Sequence, residues 1–292
     1  MYYIVYGILY AFSLLPLRVL YLFSDLAFFI VYYISGYRKK VVLSNLLIAF
    51  PEKTEKERVK IAKQFFLNFT DTMIESLKMI SISKRELEKR SKGEYDYINS
   101  LIDKGYSINV MACHQFNWEF ANLIYARNLK VPFVGIYMVI SNKILDRIFF
   151  QFRERYGTIL ISAQDFKNKM HKVFSGQYVL ALAADQNPGN PYAGYWMNFF
   201  GRPVPFITGP GKGAVKNNTA VVFVGFHKVK RGHYEFKVTP ISEDSSTYTP
   251  EQLTLKYKNL VEATVRKDPA NYLWSHRRWK WEWKEEYGEV IE

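Results

Sequence analysis

The rhythm of hydrophobic and polar positions changes twice along this chain. Residues 1–37 are almost continuously apolar, broken only by the charges of Arg18 and Asp25. They divide into a run from Met1 to Leu17 and a second from Val19 to Tyr37. A helix that crosses a bilayer needs about 20 predominantly apolar residues, so the first run is marginal and the second carries a charge near its start. Two spans, or one span plus an interfacial helix, fit equally well. No basic residue precedes the apolar stretch and no small-residue cleavage site follows it, so a cleaved signal peptide is not expected. Arg38-Lys39-Lys40 closes the second run, which places that end on the cytoplasmic side by the positive-inside bias.

Pro51-Glu52-Lys53-Thr54 then supplies a turn and a helix start, and Glu55 to Met79 carries apolar residues at helical spacing, predicting an amphipathic helix on the body. From Ser107 short apolar runs alternate with charged helical stretches, as βαβ units do. Strands are expected near Ile108–Ala112, Phe133–Val139, Thr158–Ser162, Tyr178–Ala184, Ala220–His227 and His233–Thr239. Helices are expected near Trp118–Arg127, Lys143–Tyr156, Gln164–Phe174 and Pro250–Lys267. The predicted fold class is α/β, with a mixed, largely parallel central sheet flanked by helices in one domain over residues 41–292. Residues 1–40 form an N-terminal membrane-anchoring helical region.

Composition sharpens this picture. A chain of 292 residues that is 49% hydrophobic and 23% charged can bury one sizeable core and is not disordered. Forty Lys and Arg against 27 Asp and Glu leave +13, which favours anionic partners. The 17% aromatic content clusters in the first 35 residues, at Tyr192–Phe200 and at Trp274–Trp283, as suits a membrane–water interface. Basic plus aromatic also describes nucleic-acid platforms, but no RNP or zinc-finger signature is present and nucleic acid is not an expected partner. The lone Cys113 excludes an intrachain disulfide and gives no sign of an oxidising compartment.

Candidate chemistry centres on His114-Gln115-Phe116-Asn117-Trp118-Glu119. Ile108–Ala112 reads as a buried strand, Cys113–Phe116 as the turn after it, and Asn117 as the N-cap of the next helix. His114 then lies beyond a strand's carboxyl end, where open α/β sheets place their ligands. Imidazole is the side chain suited to taking a proton from a hydroxyl near neutral pH. Glu119 can orient it only because the helix starts between them; within one continuous helix the two side chains would point roughly 140° apart. The plainer alternative is a satisfied polar residue at a strand end and a first-turn carboxylate favoured by the helix dipole.

His114-x4-Glu119 is similar to the H-x4-D/E motif of glycerolipid-type acyltransferases, and the wider segment resembles the H-x-x-N-W-E form of the late acyltransferases of bacterial lipid A biosynthesis. Phe116 stands where that family usually carries glycine. Asn45-Leu46 with Ala49-Phe50-Pro51-Glu52, Arg153-Glu154-Arg155-Tyr156-Gly157, Asp185-Gln186-Asn187-Pro188-Gly189, Phe199-Phe200-Gly201 and Tyr272–Arg278 resemble further blocks of the family in the same order. The resemblance implies catalytic roles for His114, Glu119, Arg155 and Asp185, with Arg153 the alternative to Arg155. Arg153, Asn117, Trp118, Gln186, Arg277 and Arg278 are implied as substrate contacts. It implies an acyl thioester donor, acyl-acyl carrier protein or acyl-CoA, and an anionic glycolipid acceptor of the lipid A precursor type. The implied location is the cytoplasmic face of a bacterial inner membrane. A lysophospholipid, aminolipid or phosphoinositide glycolipid acceptor, or a non-catalytic lipid-binding protein of the same fold, are the competing readings.

Other features weigh less. From the residues alone, an arginine at 153 or 155 reads first as a solvated helix face, and Asp185 equally as an Asx turn. Cys113 reads as a small buried strand-end residue before it reads as a nucleophile. Gly209-Pro210-Gly211-Lys212-Gly213 fails the P-loop pattern, leaving only a helix N-terminus that could face an anion. His171, His227 and His233 lack metal-ligand spacing, so no metal is expected, nor any cofactor beyond the thioester co-substrate. Tyr192–Phe200 fits an acyl tunnel, a membrane dip or core packing. His276-Arg277-Arg278 with Trp279 and Trp281 fits a membrane edge or a structural brace.

Overall fold

The computed structural model describes the backbone of residues 1–292 and every side chain except those of Lys167, Lys172 and Val173. Pro16 breaks the apolar N-terminus into α1 (Tyr2–Leu14) and α2 (Leu17–Phe29), two residues earlier than the charge pattern suggested, and α2 continues as a π-helical turn over Ile30–Ser35. Proline fits there because a first helical turn needs no acceptor for its missing N–H. A left-handed Gly36 ends this rod. The chain enters α3 (Lys39–Ala49) and then α4 (Glu55–Lys78), whose start is fixed by a capping box between Thr54 and Glu57.

Along its length α2 lies against α4. Leu17, Leu20, Ser24 and Tyr32 are buried, while Leu22, Leu26, Phe29 and Ile34 on the other side are more than half exposed. Ser24 donates to Asp71 at 2.8 Å, and the Asp25 that interrupts the apolar run pairs with Arg231, which also grips Asp71. A carboxylate in an apolar helix is thereby matched by a cation of the protein body. Among the described residues Leu17–Ser35 is the one helix long and apolar enough to cross a membrane.

The body continues through α5 (Lys84–Arg90), β1 (Ser91–Gly93), α6 (Asp96–Asp103), β2 (Ile108–Ala112), α7 (Trp118–Asn128), β3 (Phe133–Tyr137), α8 (Lys143–Glu154), β4 (Ile159–Ser162), α9 (Phe166–Val173) and β5 (Val179–Ala183). It ends with β6 (Gly194–Phe199), β7 (Arg202–Ile207), α10 (Gly209–Asn217), β8 (Ala220–Lys230), β9 (His233–Ser242), α11 (Pro250–Lys267) and β10 (Val290–Ile291). Seven strands form one sheet in the order β1-β9-β8-β2-β5-β3-β4, all neighbours parallel except β8 and β9. This is the expected α/β architecture. The central strands β2 and β5 are apolar except for the buried Asn109 of β2, because both faces are covered. Val110, Val222 and Val224 pack under α6, α7 and α8, whereas Met111, Val221 and Phe223 pack towards α4, α10 and α11.

A second sheet, β10-β6-β7, was not foreseen. Pro203 and Pro205 mask β7 in the sequence, and proline is tolerated there because β7 is the sheet's edge. The hairpin turns through Phe200 and Gly201, both at positive φ as a type I′ turn requires. Trp196 and Phe199 are buried and Tyr192 is 60% exposed, so the aromatic stretch serves mainly as core packing.

Candidate active site

β2 and β5 are adjacent and parallel, with Ala112 paired to Ala183. His114 follows the first strand end by two residues and Asp185 follows the second by two, so the register brings the two side chains together. The His114 ring meets Asp185 Oδ1 through Nδ1 at 2.7 Å, and the His114 backbone N–H donates to the same oxygen at 3.1 Å. A carboxylate is an acceptor only, so Nδ1 carries the proton and Nε2 keeps its lone pair. Nε2 has no hydrogen-bond partner among the described residues, and the side chain is 28% exposed. Burial disfavours the imidazolium, yet the charge and hydrogen bond of Asp185 outweigh it and raise the His114 pKa above 6.5. Burial also opposes ionisation of Asp185, and His114 reverses that, holding the carboxyl below its ordinary value.

The turn is held from three sides. Tyr257 of α11 donates to the Ala112 carbonyl at 2.8 Å and accepts from the Ala184 N–H at 3.2 Å, tying the two strand ends together. The carbonyl of His114 accepts from Leu273 N–H, and Phe116 N–H donates to the Asn271 carbonyl. Gln115, fully buried, accepts from the Phe226 N–H at 3.1 Å. Phe116 fills the core against Phe65 and Trp118.

The expected contact between Glu119 and His114 is replaced by a different pairing. Asn117 caps α7 by accepting the Glu119 N–H at 3.0 Å, and the Glu119 carboxylate turns to Arg153, which grips both oxygens through Nε and Nη2. The Trp118 indole N–H donates to the same carboxylate at 3.0 Å. Arg153 leaves Nη1 without a described partner. Arg155 lies elsewhere, donating to the Met79 and Ile80 carbonyls at the end of α4. Two helical residues turn the side chain by about 200°, so Arg153 and Arg155 cannot both face α7.

The remaining candidates separate as well. Asp185 is followed by Gln186, whose side chain has no described hydrogen bond, and by Asn187, whose N–H donates to His276 Nε2 at 3.1 Å. Burial first, then Arg278, lowers the His276 pKa to about 4, so this ring stays a neutral acceptor. Arg277 is exposed and lines a cleft of about 350 Å³ with Lys40, Asn45, Trp279 and Lys280. Arg278 is not a surface contact: it is 1% exposed, donates to Asn187 Oδ1 and the Pro205 carbonyl, and stacks over Phe206. Trp274 and Trp279 pack on Phe200 and Phe199, so this segment is chiefly a brace. The N-terminus of α10 packs against α11, where a Cβ on Gly211 would lie 2.6 Å from the Pro250 carbonyl; its glycine permits helix contact. Cys113 is buried, and burial pushes its thiol well above the ordinary range, unlike a nucleophile.

A family model described as bacterial lipid A biosynthesis acyltransferase matches residues 1–281. The chain belongs to this family. Two relatives from Haemophilus influenzae, both named lipid A biosynthesis acyltransferase, are 25% identical over 238 residues and 23% identical over 247 residues. The first match covers 79% of this chain and 72% of the relative, the second 83% and 78%. Membership supports acyltransferase activity with an acyl donor and a lipid acceptor. Tyr257 and Asn271, which support the site, carried no local signal: each lies far along the chain from what it holds.

Proposed function

We propose that the protein transfers a fatty-acyl group from an acyl thioester to a hydroxyl of a lipid A precursor or related glycolipid, with His114 as general base. The observation that carries this reading is His114 itself: Nδ1 fixed by a buried carboxylate, Nε2 without a partner among the described residues, at the carboxyl end of a central strand. In the proposed step the acceptor hydroxyl attacks the thioester carbonyl while His114 Nε2 takes its proton. The new C–O bond forms, the C–S bond breaks, and the proton passes to the departing thiolate. Asp185 steadies the imidazolium, and Arg153, held by Glu119 in the first turn after the His114 loop, keeps an Nη1 with no partner among the described residues, which suits a phosphate of the acceptor.

The net charge of +13 suits an acidic donor such as acyl-acyl carrier protein, and the cationic cleft lined by Lys40, Arg277 and Lys280 suits an anionic acceptor. The apolar outer faces of α1 and α2 suit attachment at the cytoplasmic face of a bacterial inner membrane. The deciding experiment incubates purified protein with acyl-acyl carrier protein or acyl-CoA and a panel of lipid acceptors, with products read by mass spectrometry. Transfer to a glycolipid hydroxyl, abolished in His114→Ala with folding intact, is the expected result. A fully active His114→Ala protein would sink the mechanism.

A further inference from the structure

Glu75 is a carboxylate that the proposed chemistry does not use, yet it lies behind the catalytic turn with no solvent exposure. It sits in the last part of α4 and collects three neutral donors: Tyr21 of α2 at 2.7 Å, Tyr234 of β9 at 2.6 Å and the Asn117 amide at 2.9 Å. An unmatched buried carboxylate is costly, and burial raises its pKa, so three convergent donors mark a placed group. The other end of the Asn117 side chain is already committed, because its oxygen caps α7 at the Glu119 N–H. Asn117 thus has its nitrogen on Glu75 and its oxygen on the residue whose carboxylate meets Arg153.

We infer that Glu75 is a positioning residue: by holding the Asn117 amide it sets the first turn of α7, and with it the exit of the His114 loop and the Glu119–Arg153 pair, while Tyr21 makes the docked N-terminal helix part of that support. The inference rests on the proposed reaction for its kinetic consequence and on geometry alone for its structural one. A carboxamide at position 75 can reproduce the contacts, accepting from Asn117 and Tyr234 with its oxygen and donating to the Tyr21 oxygen. A carboxylate at position 117 cannot, since two buried carboxylates would face each other.

The test is a charge-swap cycle in the full-length protein: Glu75→Gln, Asn117→Asp, and the two combined. Folding is checked by near-ultraviolet circular dichroism, turnover by acyl-transfer kinetics, and the α7 start by hydrogen exchange at the Glu119 amide. Glu75→Gln should stay close to the unchanged protein in all three. Asn117→Asp should lose about a hundredfold in kcat with KM little changed, the cost of a misplacement of roughly 1 Å, and exchange faster at Glu119. The combined variant should recover both, because the carboxamide introduced at position 75 can donate to the carboxylate introduced at position 117. Asn117→Asp with unchanged kcat and exchange, or a combined variant no better than Asn117→Asp, overturns the inference. If the unchanged protein transfers no acyl group to any acceptor, the proposed function fails, and exchange at the Glu119 amide still decides the Glu75–Asn117 link. Should Asn117→Asp not fold, recovery of the fold in the combined variant supports the link, and its absence counts against it.

Discussion

Replacing Asp185 with Asn separates the carboxylate that the fold sets against His114 from Glu119, the one the sequence offered. The amide keeps the shape of the side chain and an oxygen for both the His114 N–H and Nδ1–H, so the variant removes charge with little geometry. Asp185 Oδ1 lies 2.7 Å from Nδ1 and the side chain is 1% exposed, so solvent screens the pair weakly. An opposite charge at such range favours the charged form of the ring. Asp185 raises the His114 pKa, so its loss lowers it. The ring becomes a weaker base, and kcat/KM should fall by about 10²–10³, within the range expected of general acid–base catalysis. The assay is the initial rate of acyl transfer across about pH 5–9, with Glu119→Gln as the companion. In the unchanged protein the rising limb of kcat/KM should have its midpoint above 6.5. In Asp185→Asn it should move to lower pH, and in Glu119→Gln it should stay. An Asp185→Asn enzyme with an unmoved limb and a rate close to the unchanged protein's would refute the pairing.

Several further outcomes follow from the same contacts. Arg153→Met strands the buried Glu119 carboxylate and should cost about 3–5 kcal/mol in denaturant unfolding, whereas Arg155→Met, an exposed side chain that loses bonds to two carbonyls, should cost no more than about 0.5–1.5 kcal/mol. Gly211→Ala should destabilise by roughly 1–3 kcal/mol through the Pro250 carbonyl while leaving kcat per folded molecule unchanged. The Asp185 carboxyl is held below 3.8, so its stability contribution is present above that value and lost as pH falls through the lowered one. The unfolding free energies of Asp185→Asn and the unchanged protein should therefore converge in strong acid. Leu22→Ser with Leu26→Ser should weaken vesicle binding in flotation by up to about 1.5–3 kcal/mol per side chain, with no change in the fold.

Much of the body was legible because period and position carry it. The parallel strands read as short apolar runs, and each predicted helix from Trp118 onward lies where the charges interleave with apolar residues. The β6–β7 hairpin was hidden by Pro203 and Pro205, which mean an edge strand only once the neighbours are known. Asn117 was legible as a cap, since capping is local chemistry. The partner of His114 was not, because Glu119 is near in sequence while Asp185 is brought close by strand order, 71 residues away. Glu75 was hidden differently: a charged residue in an amphipathic helix looks solvated until three separate elements are seen to converge on it.

The pairing of Ala112 with Ala183 makes the site a matter of counting. His114 and Asp185 each stand two residues past a matched strand end, so what must be kept is the length of the two exits as much as their composition. An extended residue adds about 3.3 Å, more than the span of a hydrogen bond. One residue inserted after Ala112 would separate the pair even with every side chain retained; the same insertion in both exits would carry the two groups outward together. A search for distant members of this fold could therefore weigh the spacing of the two loops alongside the letters within them.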